Sequence, residues 1–179
     1  MIFYMGILLL AVACKNKQTT ETPAAETTVT EADYPYTLKE PYKNWQAGDQ
    51  KNAILVMKML KAWETRNVAE CASYFADTTE MHFDMYHAVM SHDSITPFLE
   101  SSLAGYETVK INMQDWESVI SADKKDEWVT VWYKQSWVDK KGVADSINII
   151  DDAKIVNGKI TVFDEYIQHF PAAKKEKKK

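Results

Sequence analysis

From Asp49 onward the chain switches between two hydrophobic periods. Ala53, Val56, Met57, Leu60 and Trp63 recur at steps of three and four, which places them on one face of an α-helix. Asp49, just ahead of this run, is a side chain that caps helix N-termini by accepting a free backbone N–H. Asn67 can end this helix and cap a second, short one over 68–75, which turns Cys71, Tyr74 and Phe75 toward the core. In that position Cys71 reads as a small buried hydrophobe rather than a nucleophile. From Thr79 to Val89 the period becomes two: Met81, Phe83 and Met85 alternate with His82, Asp84 and Tyr86, as in a single strand. A third helix then runs from Ser91 or Asp93 to Leu103, burying Ile95, Phe98, Leu99 and Leu103 and ending at Gly105. Pro97 fits this helix only in its first turn.

After Tyr106 the pattern is that of strands. Val109, Ile111 and Met113 alternate, and Trp128, Thr130 and Trp132 alternate with Val129, Val131 and Tyr133. Polar loops at 121–126 and 139–142 separate these runs. Ile147 to Val156 and Lys159 to His169 flank Asn157-Gly158, a pair suited to the positive φ angles of a two-residue hairpin turn. The predicted order is two helices, a strand, a helix and four antiparallel strands. That is an α+β domain, with helices packed on one face of a curved sheet.

The two ends of the 179-residue chain have a different character. Residues 2–13 form one apolar block of twelve, short of the about twenty residues that span a bilayer. Cys14 follows, and the chain turns polar at once. The stretch Leu10-Ala11-Val12-Ala13-Cys14 resembles a bacterial lipoprotein signal. The resemblance implies cleavage after residue 13, lipidation of Cys14, and anchoring in the cell envelope outside the cytoplasm. Several acyl chains hold a membrane where a single one binds marginally. An ordinary secretory signal is the alternative reading of the block.

Residues 15–33 contain no aromatic residue and a single Val. They cannot bury enough apolar area to offset their ordering entropy, so 14–40 is expected to be a flexible tether. Residues 41–171 form the domain. The tail 172–179 carries five Lys and one Glu, a solvated charge run. The whole chain has a net charge of −5, so the part ahead of this tail carries −9. That balance argues against nucleic acid as a partner.

Three stretches of the domain look like the nuclear transport factor 2-like (NTF2-like) superfamily, in particular its SnoaL-like branch. They are Tyr74-Phe75-Ala76-Asp77-Thr78 after the first helices, His92-Asp93-Ser94-Ile95 at the third helix, and Asp151 to Ile160 followed by Tyr166. The resemblance implies a cone-shaped α+β barrel, its curved antiparallel sheet wrapped around the N-terminal helices, with a pocket open at one end. It also implies a homodimer through the outer sheet face. It implies no single activity, because the same cone hosts isomerases, dehydratases, cyclases, epoxide hydrolases and binding proteins.

An acid or base in such a cone gains a carboxyl pKa raised toward neutrality by desolvation. The candidates are Asp84 and Asp152 as bases, with His82 or Tyr166 assisting. His82, Asp84 and Tyr86 share one strand face, which points either into the cone or to solvent. Asp151 and Asp152 are adjacent in a strand, so one faces inward or a bulge intervenes. Gln168 stands where relatives often carry an acid and cannot act as a base. Asp164 and Tyr166 share its strand face and are expected at the pocket wall. Tyr86, Trp116, Trp132 and Tyr166 are the expected ligand-binding aromatics, large apolar surfaces with a polar handle.

His82, His87 and His92 recur at five-residue steps, which match neither helical nor strand faces. No metal site and no cofactor is expected, and the chain has no phosphate-binding loop or nucleophile elbow. The expected role is binding of a small, partly apolar molecule without catalysis. Acid/base isomerisation, dehydration or hydrolysis is the alternative. A protein-interaction module with its cone filled by its own side chains is another.

Overall fold

The computed structural model describes residue 30 and residues 34–170. Cys14 and the basic tail lie outside them. The chain divides into two compact units, Met1–Thr37 and Leu38–Lys179. Of the first, Thr30 and residues 34–37 are described, with a bend over 34–36. The second holds every described helix and strand. No described helix is long and apolar enough to cross a membrane.

In chain order the elements are β1 (Gln46–Ala47), α1 (Gln50–Glu64), α2 (Val68–Ser73), β2 (Phe75–Phe83), β3 (Tyr86–Ser91), α3 (His92–Leu103), β4 (Tyr106–Ile120), β5 (Glu127–Asp139), β6 (Ala144–Val156) and β7 (Lys159–His169). They build one seven-stranded sheet in the order β1-β4-β5-β6-β7-β2-β3. The expected α+β cone is therefore present, with β1 added at one sheet edge and two further differences. The sheet is mixed, because β2 runs parallel to β7. And the run 79–89 is a hairpin, not one strand: β2 and β3 pair antiparallel, with Phe83 opposite Tyr86. Asp84 takes the turn at φ 43°.

Local chemistry explains the helix ends. Asp49 caps α1 by accepting from the Lys51 N–H at 2.8 Å. Asn67 caps α2 by accepting from the Glu70 N–H at 3.3 Å. In α3, Pro97 is the sixth residue, beyond the first turn where it was expected, so the Asp93 carbonyl lacks its helical donor. Asn157 and Gly158 both have positive φ, 52° and 71°, as the hairpin turn requires.

The pairing slips out of register within β4–β5, β2–β7 and β6–β7. Such bulges bend strands and increase their twist, which curves the sheet. Its inner face receives α1 against β4 and β5, and α3 against β2 and β3. Val56, Cys71, Met81, Ile95, Val129, Val131 and Ile160 are buried between helices and sheet. Arg66, at positive φ, donates from its guanidinium to the Tyr106 carbonyl at 2.6 Å and the Leu103 carbonyl at 3.3 Å. This ties the end of α1 to the α3–β4 junction.

Candidate functional site

The inner faces of β2, β5, β6 and β7, closed over by α1 and α3, leave a cavity of about 310 Å³. The cone is thus not filled by its own side chains. Alternation along each strand decides what lines it. On β7, Phe163, Glu165 and Ile167 point inward; on β6, Ile147 and Ile149; on β5, Tyr133 and Gln135. Phe83 and Tyr86 come from the β2–β3 hairpin and Phe98 from α3. These three rings stack, Phe83 on Phe98 at 5.5 Å and Tyr86 on Phe98 at 5.8 Å between centroids. Tyr86 is 46% exposed and so marks the rim. Trp63 of α1 donates its indole N–H to Gln135 Oε1 at 2.9 Å, fixing that amide against the wall.

Beneath the wall sits a buried acid. Asp151 has no exposed surface. The Tyr133 hydroxyl donates to its Oδ2 at 2.9 Å, and its Oδ1 has no partner. Burial, followed by repulsion from Glu165, raises the Asp151 carboxyl well above its ordinary range. Glu165, half-buried in the cavity wall, is itself raised by desolvation from 4.5 to about 7. Desolvation, then the neighbouring Asp151 charge, pushes the Tyr133 phenol well up, so it stays protonated. Burial likewise pushes the Cys71 thiol up to about 12, which leaves it a weak nucleophile. An acid poised near neutrality in an apolar cavity can take or give a proton.

The residues singled out in the sequence fall on both sides of the sheet. Tyr86 lines the cavity, because the hairpin turn brings it onto the face of Phe83. His82 and Asp84 do not reach the cavity. His82 lies on the outer face with its Nδ1 hydrogen-bonded to Asp164 and its ring 4.7 Å from that of His87. Asp84 is in the turn. With His87, Asp164 and Tyr166 they border an outer depression that Glu165 also borders.

Asp152 also faces outward, accepting from the Thr130 hydroxyl. The inward member of the pair is Asp151. Trp132, Ile150 and Tyr166 are cross-strand neighbours on the outer face, with Tyr166 57% exposed, and neither Trp132 nor Tyr166 lines the cavity. Trp116 is 46% exposed and also lies outside the lining. Asp164 and Tyr166 thus miss the expected pocket wall. Among the described residues, no three His, Cys, Asp or Glu side chains gather as metal ligands.

Glu165, Tyr133 and Gln135 were missed, and Asp152 rather than Asp151 was the expected base of the adjacent pair, although a signal was present. In β6 the odd positions Ile147, Ile149, Ala153 and Ile155 are all apolar, while the even ones include Asn148 and Lys154. That parity places Asp151 inside. Phe163 and Ile167 do the same for Glu165.

Neither a protein-family model nor a curated protein sequence matches the chain. Solved structures do. An NTF2-like protein from Anabaena variabilis ATCC 29413 aligns with a TM-score of 0.57 at 12% identity, over 67% of this chain and 89% of that one. An NTF2-like protein from Burkholderia pseudomallei K96243 gives 0.54 at 13%, over 65% and 90%. An LEH-like epoxide hydrolase from M. tuberculosis gives 0.54 at 11%, over 66% and 84%. What is shared at such identities is the fold, and the chain has the NTF2-like cone fold.

Proposed function

We propose that the domain binds a small, predominantly apolar molecule inside the cone. The observation that carries this reading is the cavity of about 310 Å³, walled by aromatic and aliphatic side chains with few polar groups. Ligand sites are of this kind, and about 300 Å³ is the lower end of their usual range. Binding without chemistry is the primary reading. The placement of Glu165 beside the Tyr133–Asp151 pair favours a second one, proton transfer on the bound molecule, with Glu165 as acid or base. The likeness to a structure described as an epoxide hydrolase supports no more than the suitability of the fold. Under the second reading, turnover would be bell-shaped in pH and lost in Glu165→Gln.

The proposal extends to assembly and address. The outer sheet face, with Trp128, Trp132, Ile150 and Tyr166, is proposed to pair two copies of the chain. Cys14 is proposed to be the lipid attachment point, holding the domain at the cell envelope. A native mass spectrum taken after mild purification tests ligand and assembly together. The expected result is a dimer retaining a small molecule. A protein that is empty and also fails to bind the neutral dye N-phenyl-1-naphthylamine would end the cone-binding reading, and a monomer at all concentrations would end the dimer.

A further inference from the structure

The cavity is one-sided in charge. Aromatic rings reach it from every quarter: Trp63 from α1, Phe98 from α3, Tyr86 from β3, Tyr106 from β4, Tyr133 from β5 and Phe163 from β7. Glu165 is its one carboxylate, and no Lys, Arg or His among the described residues lines it. Behind it Asp151 adds a second buried acid, with Oδ1 unpartnered.

Several acids of the sheet and its loops have protein partners. Asp164 has His82, Asp152 has Thr130, and Asp126 has Lys154. No hydrogen bond or ion pair among the described residues engages the Glu165 carboxylate. The inner face therefore holds an acid, Glu165, that no other side chain among the described residues engages.

We infer that the cone ligand carries a basic amine, whose ammonium sits against Glu165 while its apolar remainder lies among the rings. The inference rests on the cone-binding reading and narrows it to a ligand class. Three physical effects converge on it. An ammonium is attracted to the faces of aromatic rings. Its hydrogen bonds to a carboxylate are charge-assisted and about twice as strong as neutral ones. Both gain when water is excluded from the site. A ligand anion would meet no positive group and, above about pH 7, the repelling Glu165 carboxylate.

A neutral alcohol would gain a hydrogen bond only. Within the cavity the titratable groups facing Glu165 are Asp151 from β6, Tyr133 from β5 and Tyr106 from β4. Glu165 also borders the outer depression with His82 of β2, His87 of β3, Asp84 and Asp164, where His82 is bonded to Asp164. Among the described residues no Lys or Arg lines either hollow, so an ammonium arriving in the cavity meets no fixed cation. Because Glu165 titrates near 7, binding the ammonium near neutrality displaces a proton from its carboxyl to the buffer.

The test is calorimetric titration of the purified full chain with three probes of one skeleton: 2-phenylethylamine, 2-phenylethanol and 3-phenylpropionate. At about pH 8 the amine is expected to bind at least about tenfold more tightly than the alcohol, and the carboxylate more weakly than either. The amine's preference is expected to shrink toward about pH 5.5, as Glu165 takes up its proton. In Glu165→Gln the preference collapses. Should that variant fail to fold, the wild-type pH dependence decides the matter. So does proton release on amine binding, read from the heat in buffers of different ionisation enthalpy. An alcohol that binds as tightly as the amine overturns the amine inference and leaves cone binding standing. If none of the three binds, the amine inference falls, and binding of N-phenyl-1-naphthylamine decides whether the cone-binding reading falls with it.

Discussion

At the scale of single residues, the interior acids make the domain's stability depend on pH in an unusual direction. Most folded proteins hold their carboxylates at lowered pKa values and lose stability on acidification. Glu64 follows that habit, lowered from 4.5 despite partial desolvation by bonds to Lys61 and the Ile111 N–H, so its effect falls below about pH 4.5. Glu165 does the reverse. Its folded value of about 7 lies above its ordinary 4.5, so between those limits the folded state holds a proton that the unfolded state has lost. Stability from this group is present in full below 4.5 and is lost as pH rises through 7. Asp151 is raised too, and adds in the same sense. Each unit of pKa difference is about 1.4 kcal/mol, so the effect is measurable against the total stability of a small domain. Urea unfolding between about pH 5 and 8 is expected to show a falling midpoint. Glu165→Gln should flatten that slope and be the more stable protein at pH 8, since Asp151 then also loses its repelling neighbour. A midpoint that rises over this range would show that the buried acids are not charged against a penalty.

At the scale of elements, what was legible in the sequence is what neighbouring residues decide among themselves. The caps at Asp49 and Asn67 and the Asn157-Gly158 hairpin each depend on a few adjacent positions, and each is found. The β2–β3 hairpin was hidden because its turn, Asp84-Met85, contains no glycine, and the alternation of Met81, Phe83 and Met85 runs straight through it. A two-residue turn shifts parity by one. Tyr86 therefore joins Phe83 inside, while Met85 is left 94% exposed at the tip. That one slip separated His82 and Asp84 from Tyr86 and left them on the outer side of the sheet. The parallel pairing of β2 with β7 joins segments about eighty residues apart, which no local pattern reports.

A second element-scale feature, also invisible to pattern, is the junction of β1 with α1. The Gly48 N–H donates to the Ser118 carbonyl at 2.8 Å, and the Ser118 hydroxyl donates to the Asp49 carbonyl at 2.9 Å. A Cβ on Gly48 would stand 2.7 Å from Ser118 Oγ and 2.9 Å from the Val119 backbone. The backbone cannot yield as a side chain can, so Gly48→Ala is expected to cost about 1–3 kcal/mol. Gly105→Ala is the matched control, because nothing lies within 4 Å of its Cβ position. Equal urea midpoints for the two variants would show that this close approach is not maintained in solution.

At the scale of the whole molecule, the proposed anchor, tether and domain make separable demands. Were 14–40 the proposed flexible tether, its 27 residues would span on average about 30 Å. That is enough to hold a small domain clear of the headgroups. An anchored domain would need the clearance, because the chain ahead of the basic tail carries −9 and would be repelled by an anionic surface. The tail, with its five lysines, would act in the opposite sense, as a salt-sensitive second contact. The two modes of attachment can be told apart. A lipid on Cys14 is indifferent to ionic strength, so about 1 M salt should leave the wild-type protein in the membrane fraction. Cys14→Ser removes the acylated sulfur and should send the chain to the soluble fraction even at low salt, with its fold unchanged. If that variant stays on the membrane until salt is added, the lysine tail is the anchor. If it stays whatever the salt, the apolar block itself holds the protein and Cys14 is not lipidated.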